Sequence, residues 1–373
     1  MNILGIESSC DETAASVVKD GRILLSNVVE SQIDIHAKYG GVVPEIASRS
    51  HLEAILPVVN QALETAFLLA NEGNEKSLLT DNSSRLSALS SRDNWQNIDA
   101  VAVTYGPGLS GGLLMGSLTA RTLARVHNKP IIGVNHVLAH VYANWLSEKQ
   151  PNFPLLALIV SGGHSQIALF KSHSDYKLLG QTRDDAVGEA FDKVAKMLGM
   201  KYPGGPRVSA AAKNGDPLKY RLPKARMSEK YDFSFSGLKT AVLRTLQSEV
   251  GKGYDFPSFQ ISELLTDQQI NDVSASFQKA AIETLVDKLK LAVDEFSPES
   301  VVIAGGVAAN SYLRDMIHNR ISATIDYAPA NLCTDNAAMI ATAAFYQSDE
   351  GKKLDDPLNL KINSSLSMYS QTQ

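Results

Sequence analysis

The amino-acid sequence predicts an α/β protein in which short apolar strands alternate with helices. Apolar runs end in polar or glycine-rich turns, and segments with the apolar spacing of a helix follow several of them. A second observation is a repeat, because the order apolar strand, polar turn, apolar strand occurs at residues 2–18 and again at residues 155–170. More α/β sequence follows each copy. We therefore expect a duplicated protein of two lobes, whose two turns face one cleft.

The composition is typical of a protein that folds outside a membrane. With 373 residues, of which 44% are hydrophobic, it is long enough for two domains and apolar enough for a sizeable core. A net charge of −5 excludes a uniformly basic nucleic-acid coat, although a local basic groove remains compatible with it. No apolar run approaches the ~18 residues of a membrane span. Two cysteines and an N-terminus without a basic region lead us to expect a cytoplasmic protein.

In the first half of the chain, strands are expected where apolar runs are bounded by turn residues: 2–6, 14–18, 98–104 and 130–134. The spacing of apolar residues predicts a helix over residues 45–70, which Pro57 is expected to bend. Further helices are expected to end near Arg125 and to begin near Asn135. Residues 71–94 are rich in serine, and we expect them to form a surface insertion that is partly disordered.

In the second half, the expected strands are 155–160, 166–170 and 301–304. The expected helices cover residues 188–198, 267–296 and 335–346, with another from about residue 308. The helix over residues 267–296 carries an apolar stripe along its whole length, which indicates a core helix. The tail after residue 349 is polar and is expected to be irregular.

His136 and His140 are four residues apart, so on a helix both rings lie on one face, about one turn from each other. Two imidazoles in that arrangement can bind one metal ion. They are equally compatible with one histidine at a helix end and another in the core. A metal site needs a third ligand, for which Asp335 is a candidate. Because Asp335 also opens a predicted helix, its local position suits an N-cap as well.

The same histidine spacing raises the alternative of a metalloprotease. The zinc-binding motif of those enzymes has a glutamate directly after the first histidine, where it acts as the general base. Val137 occupies that position here, and neither Leu138 nor Ala139 can act as a base. The sequence therefore disfavours a metalloprotease.

Glycine pairs lie near the expected ends of strands and helices, at 106–108, 111–112, 162–163, 204–205 and 305–306. Backbone N–H groups in such turns suit phosphate groups. No Walker A sequence is present, and the GxGxxG spacing at residues 106–111 does not follow the first strand of the chain. The pattern favours a nucleotide cleft without matching a familiar phosphate loop.

Acidic residues form two further features. The turn at residues 7–12 carries three carboxylates, which could coordinate a metal, position a water molecule or act as a base, and which could also form a solvated hairpin tip. Asp192 lies in the helix expected at residues 188–198. There it could accept hydrogen bonds from ribose hydroxyls or form a surface salt bridge.

Residues 213–230 form a basic segment with a net charge of +4, with Tyr220 inside it and Tyr231 next to it. Cationic side chains among aromatic rings are typical of surfaces that contact the RNA backbone and stack on bases. A solubilising surface loop has the same composition. We interpret the segment as part of a path for RNA, with the surface loop as the alternative.

Nine segments together resemble, in order, the motifs of the TsaD family of tRNA N6-adenosine threonylcarbamoyltransferases. They are ESSCDET at 7–13, KYGGVVPEIASRSH at 38–51, GPGLSGGLLMG at 106–116, NHVLAH at 135–140, VSGGHS at 160–165, DDAVGEAFDKVAKMLGMKYPGGP at 184–206, DFSFSGLKT at 232–240, AGGVAAN at 304–310 and CTDNAAMIA at 333–341. The first is similar to the bacterial and mitochondrial branch. The insertion at 71–94 departs from the family pattern and leaves every motif intact.

The resemblance implies an actin-like ATPase fold, in which two lobes of duplicated βββαβα type surround a central nucleotide cleft. It places the first lobe at residues 1–134 and the second, with the nucleotide site, at residues 135–330. A helix at 331–348 would return to the first lobe, and residues 349–373 would form a tail.

The resemblance also implies a reaction, the transfer of a threonylcarbamoyl group from threonylcarbamoyl-AMP to N6 of the adenosine 3′ of the anticodon, in tRNAs that read codons beginning with A. By motif position, one divalent metal ion, Fe2+ or Zn2+, would be held by His136, His140 and Asp335. Asp11 would lie beside the reacting centre and accept the amine proton.

Two groups of residues would hold the adenine nucleotide, which is either threonylcarbamoyl-AMP or an ATP-like ligand. The residues implied for the threonylcarbamoyl-adenylate are Ile159, Val160, Ser161, Gly162 and Gly163. Those implied for the nucleoside end are Asp192, Gly205 and Asn310. We expect the backbone N–H groups of Ser161, Gly162 and Gly163 to stabilise the charge that develops during transfer.

The partners implied by the resemblance are tRNA, an inactive paralogue of the same fold and a small P-loop ATPase, with no membrane. Two other functions are compatible with the fold. An actin-like small-molecule kinase would share the cleft and the glycine turns but would not need the histidine pair. A scaffold without catalytic activity is disfavoured because His136, His140 and Asp335 are all present.

Overall fold

The computed structural model of the chain describes residues 1–71, 94–349 and 358–368. The chain forms two compact units. The first comprises residues 1–32, 42–150 and 335 onwards, and the second comprises residues 33–41 and 151–334. The first lobe was expected to end at residue 134, whereas the segment 42–150 of the first unit ends at residue 150. The predicted insertion at 71–94, apart from its two end residues, lies outside the described residues.

The first unit is built on a five-stranded sheet in the order β3-β2-β1-β4-β5. Its strands are β1 (Asn2–Glu7), β2 (Glu12–Lys19), β3 (Ile23–Ser31), β4 (Ala100–Gly106) and β5 (Ile131–Asn135). β1–β2 and β2–β3 are antiparallel pairs, whereas β1–β4 and β4–β5 are parallel. The central strand β1 is buried from Ile3 to Glu7, which explains its nearly continuous apolar sequence.

Among its described residues, the first unit also contains the helices α2 (Pro44–Asn71), α3 (Ser110–Val126), α4 (His136–Tyr142) and α11 (Ala337–Asp349). Leu63 of α2 belongs to one apolar core with the sheet residues Leu4 and Val101. Gly5 of β1 lies close to α11, because a Cβ at that position would lie 3.0 Å from the backbone nitrogen of Ala341. A glycine in the central strand therefore permits the close approach of the helix.

The second unit is built on a sheet in the order β10-β9-β6-β7-β8. Its strands are β6 (Leu155–Val160), β7 (Ser165–Phe170), β8 (Tyr176–Gln181), β9 (Ser300–Ala304) and β10 (Ile325–Tyr327). Here β6–β7 and β7–β8 are antiparallel, and β6–β9 and β9–β10 are parallel. Each strand of the first sheet has a counterpart with the same neighbours and directions. The duplication expected from the two hairpins is confirmed.

The helices of the second unit are α1 (Ile33–Ala37), α5 (Val187–Met197), α6 (Gly204–Ala212), α7 (Ser236–Glu249), α8 (Ser258–Ile261), α9 (Asp267–Phe296) and α10 (Ser311–Arg320). α9 has the bounds predicted from its apolar stripe, and a capping box of Thr266 and Gln269 fixes its start. The helix expected from about residue 308 begins instead at Ser311, after a short 3-10 turn. No helix in the described ranges has the length and apolar character needed to cross a membrane.

Asp184 connects two segments of the second unit that are about 50 residues apart in sequence. Its carboxylate accepts hydrogen bonds from the hydroxyls of Ser234 (2.5 Å) and Ser236 (2.6 Å) and from the Phe235 N–H (2.8 Å) at the start of α7. The N-cap residue of α7, Phe235, has no side chain that can cap it. Asp184 therefore caps α7 from a distant part of the chain.

Asp184→Ala is expected to lower the free energy of unfolding by about 1 kcal/mol, the typical effect of removing a polar helix cap. Burial raises the pKa of Asp184, but the bonds from Ser234 and Ser236 bring it below its usual value of 3.8. The contribution is therefore present above pH 3.8 and is lost as the pH falls through the lowered pKa. Denaturant unfolding at pH 7, and at a series of pH values below 3.8, measures both effects.

Asp175→Ala is the matched control for this experiment, because Asp175 is exposed and its carboxylate forms only a 3.9 Å pair with Lys171. We expect no change in unfolding free energy for that variant. Equal stability of the Asp184 and Asp175 variants would contradict the capping role.

Candidate metal centre

The two predicted histidine ligands lie on α4, a helix of seven residues that are all buried. Asn135 caps this helix, because its side-chain oxygen accepts hydrogen bonds from the N–H groups of Val137 (3.0 Å) and Leu138 (3.1 Å). The rings of His136 and His140 lie on the same side of α4, with centroids 4.8 Å apart. The i, i+4 spacing therefore places both rings together, as the sequence predicted.

Asp335 brings the third candidate ligand to this pair. Its Oδ1 atom lies 3.6 Å from Nε2 of His136 and 3.3 Å from Nε2 of His140. One ligand atom from each of the three side chains lies within 4.8 Å of the others. The three residues belong to the first unit, although Asp335 is about 200 residues from the histidines in sequence.

His136 has a second carboxylate on its other ring nitrogen. Nδ1 of His136 lies 3.0 Å from Oε2 of Glu7 and 3.1 Å from the hydroxyl of Ser9. Because an ionised carboxylate can only accept a hydrogen bond, the proton of this pair lies on Nδ1. In the neutral ring the lone pair is then on Nε2, the nitrogen that faces Asp335. A carboxylate behind a ligating histidine is the usual second partner in metal sites.

Glu7 is buried at the end of β1, with a side-chain exposure of 1%. Its carboxylate accepts hydrogen bonds from the Ser9 N–H (2.6 Å) and from the Thr104 hydroxyl on β4, in addition to His136. These donors satisfy a group that would otherwise be very costly to bury. Sequence reasoning assigned Glu7 only to an acidic turn. The signal that was available is its position directly after an apolar strand.

The charges of the site shift the pKa values of its members. Burial lowers the pKa of the His136 imidazole, but Glu7 and Asp335 outweigh this and raise it to about 9. Burial raises the pKa of Glu7, whereas His136 brings it below its usual value. Burial, together with Asp335 and Asp11, raises the pKa of Glu12 to about 10. This concentration of carboxylates favours a cation at the site.

The donor set fits a divalent metal ion. Both ring nitrogens of His140 are buried and form no hydrogen bond with the described residues, although Nε2 lies 3.3 Å from the Asp335 carboxylate. Buried nitrogens without hydrogen bonds are costly unless another group binds them. The distances from Asp335 to the histidine nitrogens match the ligand separation of about 3.4 Å expected for tetrahedral coordination with bonds of about 2.1 Å. Imidazole and carboxylate ligands suit zinc and iron.

Asp335 does not cap the helix that it precedes. α11 begins at Ala337, and the side chain of Asn336 accepts a hydrogen bond from the Met339 N–H at 3.0 Å. The N-cap role considered for Asp335 is therefore wrong, because the neighbouring asparagine performs it. The Asp335 carboxylate lies beside the histidines instead.

Asp11 lies in the turn between β1 and β2, two residues from Ser9, and is buried with an exposure of 7%. Its carbonyl accepts a hydrogen bond from the Gln32 N–H at 3.0 Å. Glu7 and Asp11 are both buried, so this acidic turn is not the solvated hairpin tip that the sequence allowed.

The glycine-rich segment 106–112 packs against this turn, where the sequence suggested a phosphate loop. The Leu109 N–H donates to the Ser9 carbonyl at 2.7 Å, and the Gly108 N–H donates to the Ser364 carbonyl at 3.2 Å. A Cβ at Gly108 would lie 2.6 Å from the Ser9 carbonyl oxygen. The glycines here permit close backbone packing, and both of these N–H groups already have acceptors.

In the second unit, the predicted adenylate-binding residues lie at the end of β6 and in the turn that follows. Ile159 and Val160 are buried strand residues. The Ser161 N–H donates to the His164 carbonyl at 2.9 Å and so closes the turn. It is therefore not available to a ligand, contrary to the expectation from the sequence. A Cβ at Gly162 or Gly163 would meet nothing within 4 Å. Among the described residues, no acceptor is bound by the N–H groups of these two glycines.

Asp192 and Gly205 lie together at the start of α6. Oδ1 of Asp192, on α5, accepts a hydrogen bond from the Gly204 N–H at 2.7 Å. A Cβ at Gly205 would lie in open space, whereas a Cβ at Gly204 would lie 2.8 Å from Cα of Asp192. The structure thus joins two residues that the sequence analysis assigned to one nucleoside site.

Asn310 is hydrogen-bonded to α6, about one turn after Gly205. Its amide nitrogen donates to the Ser209 hydroxyl (2.9 Å) and to Oε1 of Gln278 (3.0 Å), and its oxygen accepts from the Leu313 N–H (3.1 Å). Both amide protons are therefore used within the protein. Beside these residues α6, α9 and α10 line a cavity of about 240 Å³, to which Lys213, Gln278 and Tyr312 contribute.

The basic segment 213–230 is partly neutralised by α9. Lys224 lies 2.6 Å from Asp287, and Lys230 forms an ion pair with Glu295. Tyr231 is buried and Tyr220 is half-buried against the apolar core, so neither offers the exposed ring that base stacking needs. Four cations of the segment form no ion pair with the described residues: Lys213, Lys219, Arg221 and Arg226.

The amino-acid sequence matches one protein family along most of its length. The family model for TsaD, described as tRNA N6-adenosine threonylcarbamoyltransferase, matches residues 23–72 and 88–342. A protein of that name from Thermomicrobium roseum is 46% identical, over 100% of this chain and 98% of its own. Another, from Symbiobacterium thermophilum, is 48% identical over 96% of this chain and 94% of its own.

Among solved structures, T. kodakarensis HypF aligns with 94% of this chain and 48% of its own length. The TM-score is 0.56 and the sequence identity is 11%, so this likeness concerns the fold alone. Together with two five-stranded sheets of equal topology, it identifies the actin-like ATPase fold that the sequence motifs led us to expect.

His140→Ala is expected to abolish stoichiometric binding of a divalent metal, because it removes one of three protein ligands. Metal content after loading with zinc and gel filtration, measured by mass spectrometry, checks this. His318→Ala is the matched control, since His318 is exposed on α10 and outside the site. Full zinc content in the His140 variant would contradict the assignment.

Zinc binding at pH 7 is expected to release at least about one proton per ion. In the metal-free protein, the His136 pKa of about 9 keeps the ring protonated at pH 7, and that proton must leave before Nε2 can bind a metal. The release disappears as the pH rises through the raised pKa. Calorimetry in buffers of different ionisation enthalpy measures it.

Glu7→Gln is the comparison for proton release, because Glu7 is the first of the groups that raise the His136 pKa. We expect fewer protons to be released by that variant at pH 7. Release of no protons by the unaltered protein would contradict the assignment of His136.

Proposed function

The chain belongs to the TsaD family of tRNA N6-adenosine threonylcarbamoyltransferases, and from that premise we propose that it transfers the threonylcarbamoyl group of threonylcarbamoyl-AMP to N6 of an adenosine in tRNA. The target would be the adenosine 3′ of the anticodon, in tRNAs that read codons beginning with A. The observation that carries the proposal is the convergence of His136, His140 and Asp335 at one point.

These three side chains would hold one divalent ion, Fe2+ or Zn2+. When bound, such an ion supplies Lewis-acid polarisation of a carbamoyl or phosphate oxygen. Glu7 and Ser9 support this function by holding Nδ1 of His136, which keeps Nε2 directed towards Asp335. The metalloprotease alternative has no support, since Val137 is a buried apolar residue.

Transfer forms a bond between N6 of adenosine and the carbamoyl carbon, and it breaks the bond from that carbon to the phosphate oxygen of AMP. The amine loses one proton in this exchange, and a carboxylate is a suitable acceptor. We propose Asp11 for this role. Its support is its place in the turn that also carries Ser9, the partner of His136.

The second unit would bind the adenylate. We propose that Ile159, Val160 and Ser161 form the wall beside the threonylcarbamoyl group. Gly162 and Gly163 would donate their N–H groups to the charge that develops there. Donors of this kind each contribute about 3 kcal/mol in acyl-transfer enzymes. The support is that a Cβ at either glycine would point into open space.

The nucleoside end would lie at the start of α6. The Asp192 carboxylate, oriented by the Gly204 N–H, would accept hydrogen bonds from the ribose hydroxyls. The base would pass close to Gly205, where no side chain intervenes. Because the amide protons of Asn310 are bound to Ser209 and Gln278, we propose that Asn310 shapes this pocket by holding α6 against α9.

The proposed partners are tRNA, an inactive paralogue of the same fold and a small P-loop ATPase, with the cytoplasm as the location. For tRNA, the support is the group of cations at residues 213–230 without ion-pair partners among the described residues. The two helper proteins rest on the family motifs alone.

A single-turnover assay tests the proposed function. The protein, with and without candidate helper proteins, is mixed with threonylcarbamoyl-AMP and unmodified tRNA, and the nucleosides are analysed by mass spectrometry. We expect N6-threonylcarbamoyladenosine from the unaltered protein and from the exposed-histidine variant His318→Ala. His136→Ala should lose at least about 100-fold in rate, since it removes a metal ligand. Undiminished product from the His136 variant would overturn the proposal.

A further inference from the structure

The C-terminal segment 358–368 is ordered against the first unit, although the family match ends at residue 342. It has no regular helix or strand, yet three of its apolar side chains are buried: Leu360, Leu366 and Met368. Leu360 belongs to the core between the sheet and α2. The sequence predicted an irregular polar tail here. The burial shows that this part of the tail has a defined place in the fold.

The segment is hydrogen-bonded to the end of β4 and to the loop that follows it, residues 105–108. The Asn363 N–H donates to the Tyr105 carbonyl at 2.8 Å, and the Gly108 N–H donates to the Ser364 carbonyl at 3.2 Å. Gly106, between these two residues, has no room for a side chain, because a Cβ there would collide with the Asn363 carbonyl. The segment therefore fixes the loop 105–108 from both of its ends.

Residues 105–108 and the C-terminal segment are each connected through hydrogen bonds to the candidate metal ligands. Directly after the loop, the Leu109 N–H donates to the Ser9 carbonyl at 2.7 Å, and the Ser9 hydroxyl lies 3.1 Å from Nδ1 of His136. Independently, the side-chain nitrogen of Asn135 donates to the Ser367 carbonyl at 3.4 Å. Asn135 is the N-cap of α4. Two routes thus join the segment to the helix that carries both histidines.

We propose that residues 358–368 form a strap that positions α4, and with it His136 and His140, for metal binding. This inference rests on the proposed metal function. A helix of seven residues has little stability of its own, so its orientation depends on the groups that cap and pack it. The strap supplies a bond to the cap and fixes the loop that orients Ser9. Loss of an outer partner of a metal ligand typically weakens metal affinity by about 10- to 100-fold.

The test uses the full chain with Leu366→Asp, which places a charge at a buried position of the strap. Leu358→Asp is the matched control, because Leu358 is 66% exposed at the start of the same segment. Zinc affinity is measured by competition with a chromophoric chelator, and amide hydrogen exchange is measured over residues 136–142. We expect at least about 10-fold weaker zinc binding and faster exchange of α4 in the Leu366 variant only.

Asn363→Pro provides a second variant if Leu366→Asp does not fold, since it removes the N–H that bonds to Tyr105 together with the side-chain oxygen that accepts from the Ser365 N–H. A variant with a lower melting temperature but unchanged zinc affinity and unchanged exchange of α4 would overturn the proposal. Hydrogen exchange of the metal-free protein reports on the strap without any metal. If the unaltered protein binds no zinc, the proposed function fails, and the exchange data still decide whether the strap positions α4.

Discussion

The hydrogen bond between Glu7 and His136 is the interaction on which the rest of the candidate site depends. A buried carboxylate is tolerated only when donors surround it, and three segments of the first unit supply them. The Ser9 N–H comes from the β1–β2 turn, the Thr104 hydroxyl from β4 and the imidazole of His136 from α4. One buried charge therefore fixes how these segments meet. It also sets the tautomer that leaves Nε2 of His136 for a metal.

Close backbone contacts hold the same turn from its other side. The Ser8 hydroxyl donates to the Gly112 carbonyl at 2.9 Å. His51, buried on α2, lies 3.0 Å from the Cys10 carbonyl through Nε2 and 2.8 Å from the Thr13 hydroxyl through Nδ1. The glycine-rich motif at the start of α3 and the histidine that ends the motif at 38–51 thus share one structural purpose. Both hold the turn that carries Ser9 and Asp11, which explains why such motifs accompany a metal site without touching it.

The sequence predicted those parts of the fold that depend on local patterns. The strand at 155–160 and the helix at 267–296 have their predicted bounds because apolar periodicity is strong there. β3, β8 and β10 were missed. β3 has exposed and half-buried positions on both faces, Lys177 and Gly180 interrupt the apolar residues of β8, and β10 has only three residues. The histidine pair followed from helical spacing, whereas Asp335 was one candidate for the third ligand until the family resemblance selected it. The partner of His136, Glu7, needed the fold, because no local pattern relates residues 129 positions apart.

Duplication of the fold gives each unit a hairpin turn at the same topological place, and the two turns have opposite chemistry. The β1–β2 turn and the residue before it carry the buried carboxylates of Asp11 and Glu7, and Glu7 together with Asp335 raises the pKa of His136, which favours a cation there. The β6–β7 turn, residues 161–164, contains no acidic residue and presents N–H groups at Gly162 and Gly163 instead. Such donors suit an anion or a developing negative charge. The same hairpin thus suits opposite charges in the two units, because the residues at its tip and not its topology decide which sign of charge it favours.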